Sequence, residues 1–302
     1  MSSAVTQSLP IISLVVLGFL LKQVGIIHPG DGNVMARFII NTTLPAVIFL
    51  SIAQADVSPA RMAVLVLCGL AIPLGLRVVA GYLVQWLGLE RRLAGVVILA
   101  TMATNIGFFL YPFFLSVYGH EGISRLAAFD IGNSLVANSY GFYIATCYGE
   151  APPSGLRDGL QRVLTMPTLW AGLLGLAANL SGIHLPPLAN NVLETLGAAN
   201  TPLAMLTLGA FIQLKNANWK PIGLAVGLRM GLGFLLGQVL VGLVGLSGIE
   251  RAVVSIGAAM PIGLAVLVYA ASEGMDAELA AGAVSLSILV GLVITPLLLA
   301  VY

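Results

Sequence analysis

In a chain this apolar, the residues able to do chemistry are few and their spacing carries information. Thr104, Asn105 and Gly107 stand together, with Pro112 seven residues after the asparagine. Pro261, Ile262 and Gly263 form a second cluster. Proline removes a helix donor and crowds the preceding turn, while glycine tolerates dihedrals that other residues avoid. Each cluster lies inside an apolar stretch, so each predicts a helix interrupted at depth. Backbone that leaves the helix in a bilayer must be buried in protein or face a water-filled cavity. Two crossed, unwound segments near the midplane would offer half-helix N-termini, with their free N–H groups and partial positive charge, to a bound anion. Thr104 and Asn105 would add polar contacts, and Pro112 and Pro261 would hold the breaks. The plainer alternative is that the prolines only kink two packed helices. One proline alone favours the kink; a matched pair favours the site.

Ionisable residues at depth are costly and usually functional. Asp130 lies in Phe129-Asp130-Ile131-Gly132-Asn133, inside an apolar run. It reads either as a coupling site for a proton or cation, a latch that changes with state, or as a structural acid paired to arginine or bonded to Asn133 and Asn138. Arg77 fits a structural ion pair better than an anion site. Arg229 and Glu194 lie nearer the expected interfaces, where long side chains snorkel to water. Asn41 and Asn200 each precede a proline, Pro45 and Pro202. Their amides could donate to a carboxylate without introducing a charge, or satisfy carbonyls that the prolines free. The glycines Gly223, Gly227, Gly231, Gly233 and Gly237 suggest close helix packing.

The elements that must position these residues follow from composition. Of 302 residues, 59% are hydrophobic and 8% charged, with mean hydropathy +1.02. Soluble domains carry about a quarter charged residues, so this chain calls for a lipid surround. Its 13 basic and 12 acidic side chains nearly cancel, which argues against a nucleic-acid partner. Cys68 and Cys147 lie in apolar stretches, against a disulfide framework or metal cluster. His28, His120 and His184 fall near span ends, and no nucleotide-loop, zinc-protease or nucleophile-elbow motif occurs. No enzyme and no cofactor is implied.

About 20 apolar residues cross the hydrocarbon core. Charges and turn residues divide the chain into ten such stretches, near 9–27, 34–53, 62–87, 93–118, 123–148, 167–183, 192–214, 221–246, 252–271 and 279–302. The first has no Lys or Arg ahead of it, so it reads as a span and not as a cleaved signal. The longest polar connection, Gly149–Met166, divides the chain into 1–150, a linker 151–166, and 167–302. Lys22, Arg37, Arg91, Arg92, Arg157, Arg162, Lys215 and Lys220 fall after odd-numbered spans. Arg61, Arg125 and Arg251 fall after even ones, and the last loop, with Glu273, Asp276 and Glu278, has no basic residue. The positive-inside rule then makes the odd loops and the linker cytoplasmic and both termini extracytoplasmic, in a multi-pass protein of the cell's inner (plasma) membrane.

The two halves resemble each other. Asn41-Thr42-Thr43-Leu44-Pro45-Ala46 matches Asn200-Thr201-Pro202-Leu203-Ala204, and Gly75-Leu76-Arg77 matches Gly227-Leu228-Arg229. Gly88-Leu89-Glu90-Arg91 matches Gly248-Ile249-Glu250-Arg251, and Asn105-Ile106-Gly107 matches Pro261-Ile262-Gly263. Since each half has an odd number of spans, the second lies upside down. Inverted-topology repeats are characteristic of secondary transporters. The expected fold is thus an all-α integral membrane protein, ten transmembrane helices in two inverted five-helix repeats, with helices four and nine broken and crossed.

These residues resemble the auxin efflux carrier family over essentially the whole chain. The resemblance rests on Asn105 with Pro112, Leu44-Pro45, the run Pro202-Leu203-Ala204-Met205-Leu206-Thr207-Leu208-Gly209, and Met260-Pro261-Ile262-Gly263 followed by Glu273-Gly274-Met275-Asp276. It implies a crossover of helices four and nine, extracellular termini, a scaffold part and a mobile part, and a homodimer. It also implies transport of organic carboxylates. Plant members have proline where this chain has Thr104, a longer central loop, and an aspartate one turn before the basic residue of span three, so auxin is not carried over as the substrate.

The expectation is a carrier of a small organic anion, working by alternating access in the lipid bilayer, with a proton or sodium ion as the candidate coupling partner. Two alternatives stay open: a sodium-coupled symporter of the bile-acid fold, and a ligand- or sterol-binding sensor that moves nothing.

Overall fold

The computed structural model describes residues 3–28, 30–56, 58–150, 155–183, 185–213 and 218–302. Pro29, His184, Lys215, the Leu214 end of the seventh stretch, and residues 1–2 and 151–154 lie outside the described residues. The apolar stretches form helices: α1 (Ser3–Gln23), α2 (Asp31–Phe38), α3 (Leu44–Ala53), α4 (Pro59–Trp86), α5 (Arg91–Met102), α6 (Tyr111–Asn138), α7 (Tyr140–Tyr148), α8 (Leu156–Leu164), α9 (Pro167–Ser181), α10 (Pro187–Phe211), α11 (Trp219–Val226), α12 (Gly233–Val244), α13 (Gly248–Ala258), α14 (Ala265–Ser272) and α15 (Ala277–Val301). Wide π-helical turns at Ile39–Thr43 and Gly227–Leu232 join α2 to α3 and α11 to α12. Among the described residues five helices are long and apolar enough to cross a membrane: Ala4–Gln23, Asp31–Ala53, Pro59–Trp86, Trp219–Val244 and Ala277–Val301. The bent pair Arg157–Leu164 and Pro167–Leu180, at 56°, would make a sixth.

Three local features depart from the expected layout, each for a nameable reason. The turn expected at Gly119-His120-Glu121 is a kink within α6, where Gly119 takes φ 59° and ψ −155°, a conformation open to glycine alone. The polar linker contains helix α8, followed by a bend where Met166 is extended ahead of Pro167. At Pro45 the helix widens into the π turn Ile39–Thr43 and continues as α3. Proline has no N–H for the carbonyl four residues back, and a wider turn absorbs that loss.

Glycines set the closest helix crossings. A Cβ on Gly69 of α4 would collide with the Phe129 carbonyl of α6, and one on Gly132 of α6 with the Val66 carbonyl of α4. This reciprocal contact fixes the turn of α6 that carries Asp130 and Asn133. Gly18 of α1 and Gly209 of α10 meet the backbone of the opposite helix in the same way. In the glycine series of the eighth stretch, Gly233 and Gly237 pack against Ala258 of α13, but Gly223, Gly227 and Gly231 have nothing within 4 Å. The close packing expected of all five therefore belongs to two.

The connections gather in separate groups. Arg92 donates to the Gly274 carbonyl at 2.9 and 2.6 Å and pairs with Glu150 at 3.0 Å, while the Glu150 N–H reaches the Glu273 carbonyl at 2.8 Å. Elsewhere Ser51 bonds His120 at 3.0 Å, Asn179 donates to the Ala53 and Ala55 carbonyls, and Arg61 pairs with Glu250 at 3.2 Å.

Candidate functional site

Both sequence-predicted breaks are present, and they face one another. Helix α5 stops at Met102, and Ala103 is extended at φ −102°, ψ 119°. Helix α13 stops at Ala258, three residues before Pro261, whose missing N–H cannot continue the ladder. Thr104 and Ile262 form an antiparallel bridge. The Asn105 N–H donates to the Pro261 carbonyl at 2.8 Å and the Gly263 N–H to the Ala103 carbonyl at 2.9 Å. A Cβ on Gly263 would sit 3.2 Å from the Thr104 oxygen, which favours glycine there. Beyond the bridge the chain turns helical again, through the π turn Ile106–Leu110 into α6 and through Leu264 into α14.

Helix α15 backs this junction. Ser287 Oγ accepts from the Ile262 N–H at 3.0 Å and donates to the Val284 carbonyl at 2.8 Å. Gly291 lies so close to the Pro261 ring and Phe109 that a Cβ there would collide. Buried Pro112 opens α6, and Gly107, in the π turn, lies against Leu44 of α3.

Arg229 does not snorkel. It is 1% exposed, and its nitrogens donate to Thr101 O at 3.1 Å, Ala258 O at 3.1 Å and Met260 O at 3.4 Å. The π turn Gly227–Leu232 delivers it to the last carbonyls of α5 and α13. Those groups lack helical donors and carry the negative ends of two helix dipoles, so a buried guanidinium is well matched to them. The sequence carried one signal, an arginine amid an apolar run and matched to Arg77 across the halves. It did not give the depth.

The other polar residues sort into three groups. Asn105 is 2% exposed, and its side-chain Nδ2 has no hydrogen-bond partner. Thr104 Oγ1 donates to Asn133 Oδ1 at 2.9 Å, and Asn133 Nδ2 reaches Asp130 Oδ1 at 3.4 Å, with Ser134 Oγ at 3.3 Å from the same oxygen. Asn138, expected as an Asp130 partner, donates to the Ser134 carbonyl and accepts from the Tyr269 hydroxyl at 3.1 Å. Asp130 lines a small cleft of about 20 Å³ with Tyr111, Ser134, Ile48, Met166 and Thr168. The buried Tyr111 hydroxyl also has no partner; the sequence reading did not single it out.

The remaining candidates lie outside this junction or support it. Asn200 is 1% exposed and accepts from Thr43 Oγ1 at 3.0 Å, joining α10 to the π turn before Pro45, while α10 runs straight through Pro202. Exposed Asn41 donates to the Arg37 carbonyl at 2.6 Å, serving backbone and not the crossover. Arg77 forms no ion pair among the described residues; its guanidinium lies over Gly81 and its Nε is unpartnered. The structural pair expected for it fails because no carboxylate reaches it. Glu194 is exposed and held by Asn190 at 2.6 Å. Among the described residues no group of three His, Cys, Asp or Glu side chains is placed to hold a metal ion.

A family model described as membrane transport protein matches residues 3–150 and 158–299. An uncharacterized transporter of Methanothermobacter thermautotrophicus is 29% identical over 292 residues, covering 96% of this chain and 95% of that protein. An uncharacterized transporter of Methanocaldococcus jannaschii is 24% identical over 298 residues, covering 91% of each.

Proposed function

The chain belongs to the membrane transport protein family, the auxin efflux carrier family that its sequence resembles, and we propose that it moves a small organic anion, a carboxylate, by alternating access around the paired breaks. The observation that carries this reading is the Asn105 amide, buried and unpartnered beside two helix starts. An unmet donor at depth costs about 1–3 kcal/mol, and a carboxylate oxygen would meet it. The starts of the two resumed helices carry partial positive charge, which favours the same ligand.

In this reading ten spans form two inverted halves, 1–150 and 167–302, joined by a cytoplasmic linker, with both termini extracytoplasmic in the plasma membrane. Two features support it. The reciprocal antiparallel bridge is what two inverted copies would form where their broken helices meet. The loop contacts also join ends that alternate topology assigns to one face: Arg92 with Glu150 and Gly274, and Arg61 with Glu250. Asp130, wired to Thr104 through Asn133, is the site we assign to a coupling proton or cation. A homodimer completes the picture. Purified protein in liposomes is expected to take up labelled carboxylate above the level of empty liposomes; uptake at the empty level across a broad carboxylate series would sink the proposal.

A further inference from the structure

The charges meeting at the crossover do not cancel. Two helices end there, α5 and α13, and each C-terminus carries about half a negative charge. Two helical stretches begin there, at Ile106 and at Ala265, and each N-terminus carries about half a positive charge. The four ends alone would sum to about zero. Arg229 changes the sum. Its guanidinium keeps its charge even when desolvated, and it donates to Thr101 and Ala258, carbonyls at the two negative ends, and to the Met260 carbonyl just beyond α13. No carboxylate lies within 4.0 Å of it among the described residues; the acidic partners found are with His28, Arg61, Arg92 and Arg125. The negative ends are thereby offset, and the junction is left with about one net positive charge from the two helix starts.

Asp130 is the acid connected to this junction, and it stands apart from it. Its Oδ1 is held by Asn133 and Ser134, and Asn133 intervenes between it and Thr104. On the ligand side the unpartnered donor is Asn105 Nδ2, since the Asn105 backbone N–H is already bonded to Pro261.

We infer that Arg229 sets the charge selectivity of the transport site, so that the crossover takes a monoanion, a ligand with one ionised carboxylate, ahead of both the isosteric neutral amide and a dianion. This rests on the anion-carrier reading above and narrows it. Arg229 acts as a positioning residue. It does not touch the anion but cancels the helix ends that would repel it. A second carboxylate would bring a charge for which the junction has no counterpart, and burying an unmatched charge is strongly unfavourable.

The test is ligand-induced thermal stabilisation of the full-length protein in detergent, with three matched series: butyrate, butyramide and succinate; hexanoate, hexanamide and adipate; benzoate, benzamide and phthalate. In at least one series, wild type is expected to respond to the monocarboxylate at about tenfold or more lower concentration than to its amide or dicarboxylate. Arg229→Gln, checked as monodisperse and cooperatively melting, is expected to bring that ratio towards one. Arg229→Lys keeps the charge without spanning three carbonyls, so it is expected to melt lower and keep the preference. A folded Arg229→Gln with the wild-type ratio overturns the inference, as does a wild type that favours the dianion or fails to distinguish acid from amide. If Arg229→Gln does not fold, Arg229→Lys decides: a folded lysine variant without the preference overturns it, and one with the preference supports it. A wild type that answers to no carboxylate overturns the anion-carrier reading itself, a different result from an unchanged ratio in the variant.

Discussion

The Thr104 hydroxyl donates to the Asn133 side-chain oxygen at 2.9 Å, tying the extended break after α5 to the turn of α6 that carries Asp130. The Asn133 amide nitrogen in turn faces Asp130 at 3.4 Å. One amide thus serves both groups, and a shift of Thr104 would be felt at the carboxylate. Removing the hydroxyl tests this directly. Thr104→Val keeps the shape, leaves Asn133 Oδ1 without its donor, and is expected to cost about 1–3 kcal/mol. Thermal unfolding in detergent checks it, and a melting temperature equal to wild type would show that the bond contributes nothing.

Asp130→Asn removes the charge and keeps the shape of the side chain. Carboxylate binding at the crossover is expected to persist, and dependence of uptake on an imposed proton or sodium gradient is expected to disappear. Uptake into liposomes with and without each gradient measures both. A variant that follows the gradient as wild type does would remove Asp130 from the coupling role.

Glycine positions separate contact from mere composition. Gly132→Ala drives a methyl group into the Val66 carbonyl of α4 and is expected to destabilise by about 1–3 kcal/mol. Gly223→Ala meets nothing within 4 Å and is expected to be neutral or stabilising by up to about 1 kcal/mol, through helix propensity. The two melting temperatures should move apart, and equal shifts would contradict the packing.

Ser287 supplies the acceptor for the Ile262 N–H. Ser287→Ala orphans that buried group at a cost of about 1–3 kcal/mol. It is expected to lower both the melting temperature and the uptake rate, and Ser287→Thr to recover part of each. Wild-type behaviour of the alanine variant would mean that α15 does not hold the bridge.

Much of the site was legible because proline and glycine act locally. Pro112, Pro261 and Gly263 mark breaks through missing donors and small volume, which any sequence displays. The pairing of Thr104 with Ile262 was not legible in the same way. Matching the halves set Asn105-Ile106-Gly107 against Pro261-Ile262-Gly263, whereas the facing pair is decided by where two backbone hydrogen bonds fall. Arg229 was misplaced because depth depends on the π turn Gly227–Leu232, and a wide turn inside an apolar run has no composition of its own. Arg77, its counterpart in the first half, shows the limit from the other side. The same residue type at a matching position lies along its own helix over Gly81, with its Nε unpartnered among the described residues. The ten-span layout was drawn from hydropathy, yet among the described residues five helices are long and apolar enough by themselves. Breaks after α5 and α13 divide the fourth and ninth expected stretches, whereas α10 runs unbroken from Pro187 to Phe211.

In the proposed mechanism the paired breaks bind the transported anion through Asn105. Uptake of labelled carboxylate into liposomes by Asn105→Ala, beside wild type at equal reconstitution and with matched thermal unfolding, tests it most directly. Uptake by the folded variant is expected to fall to the level of empty liposomes, with Asn105→Gln recovering part of it. Uptake by Asn105→Ala at the wild-type rate would contradict that mechanism.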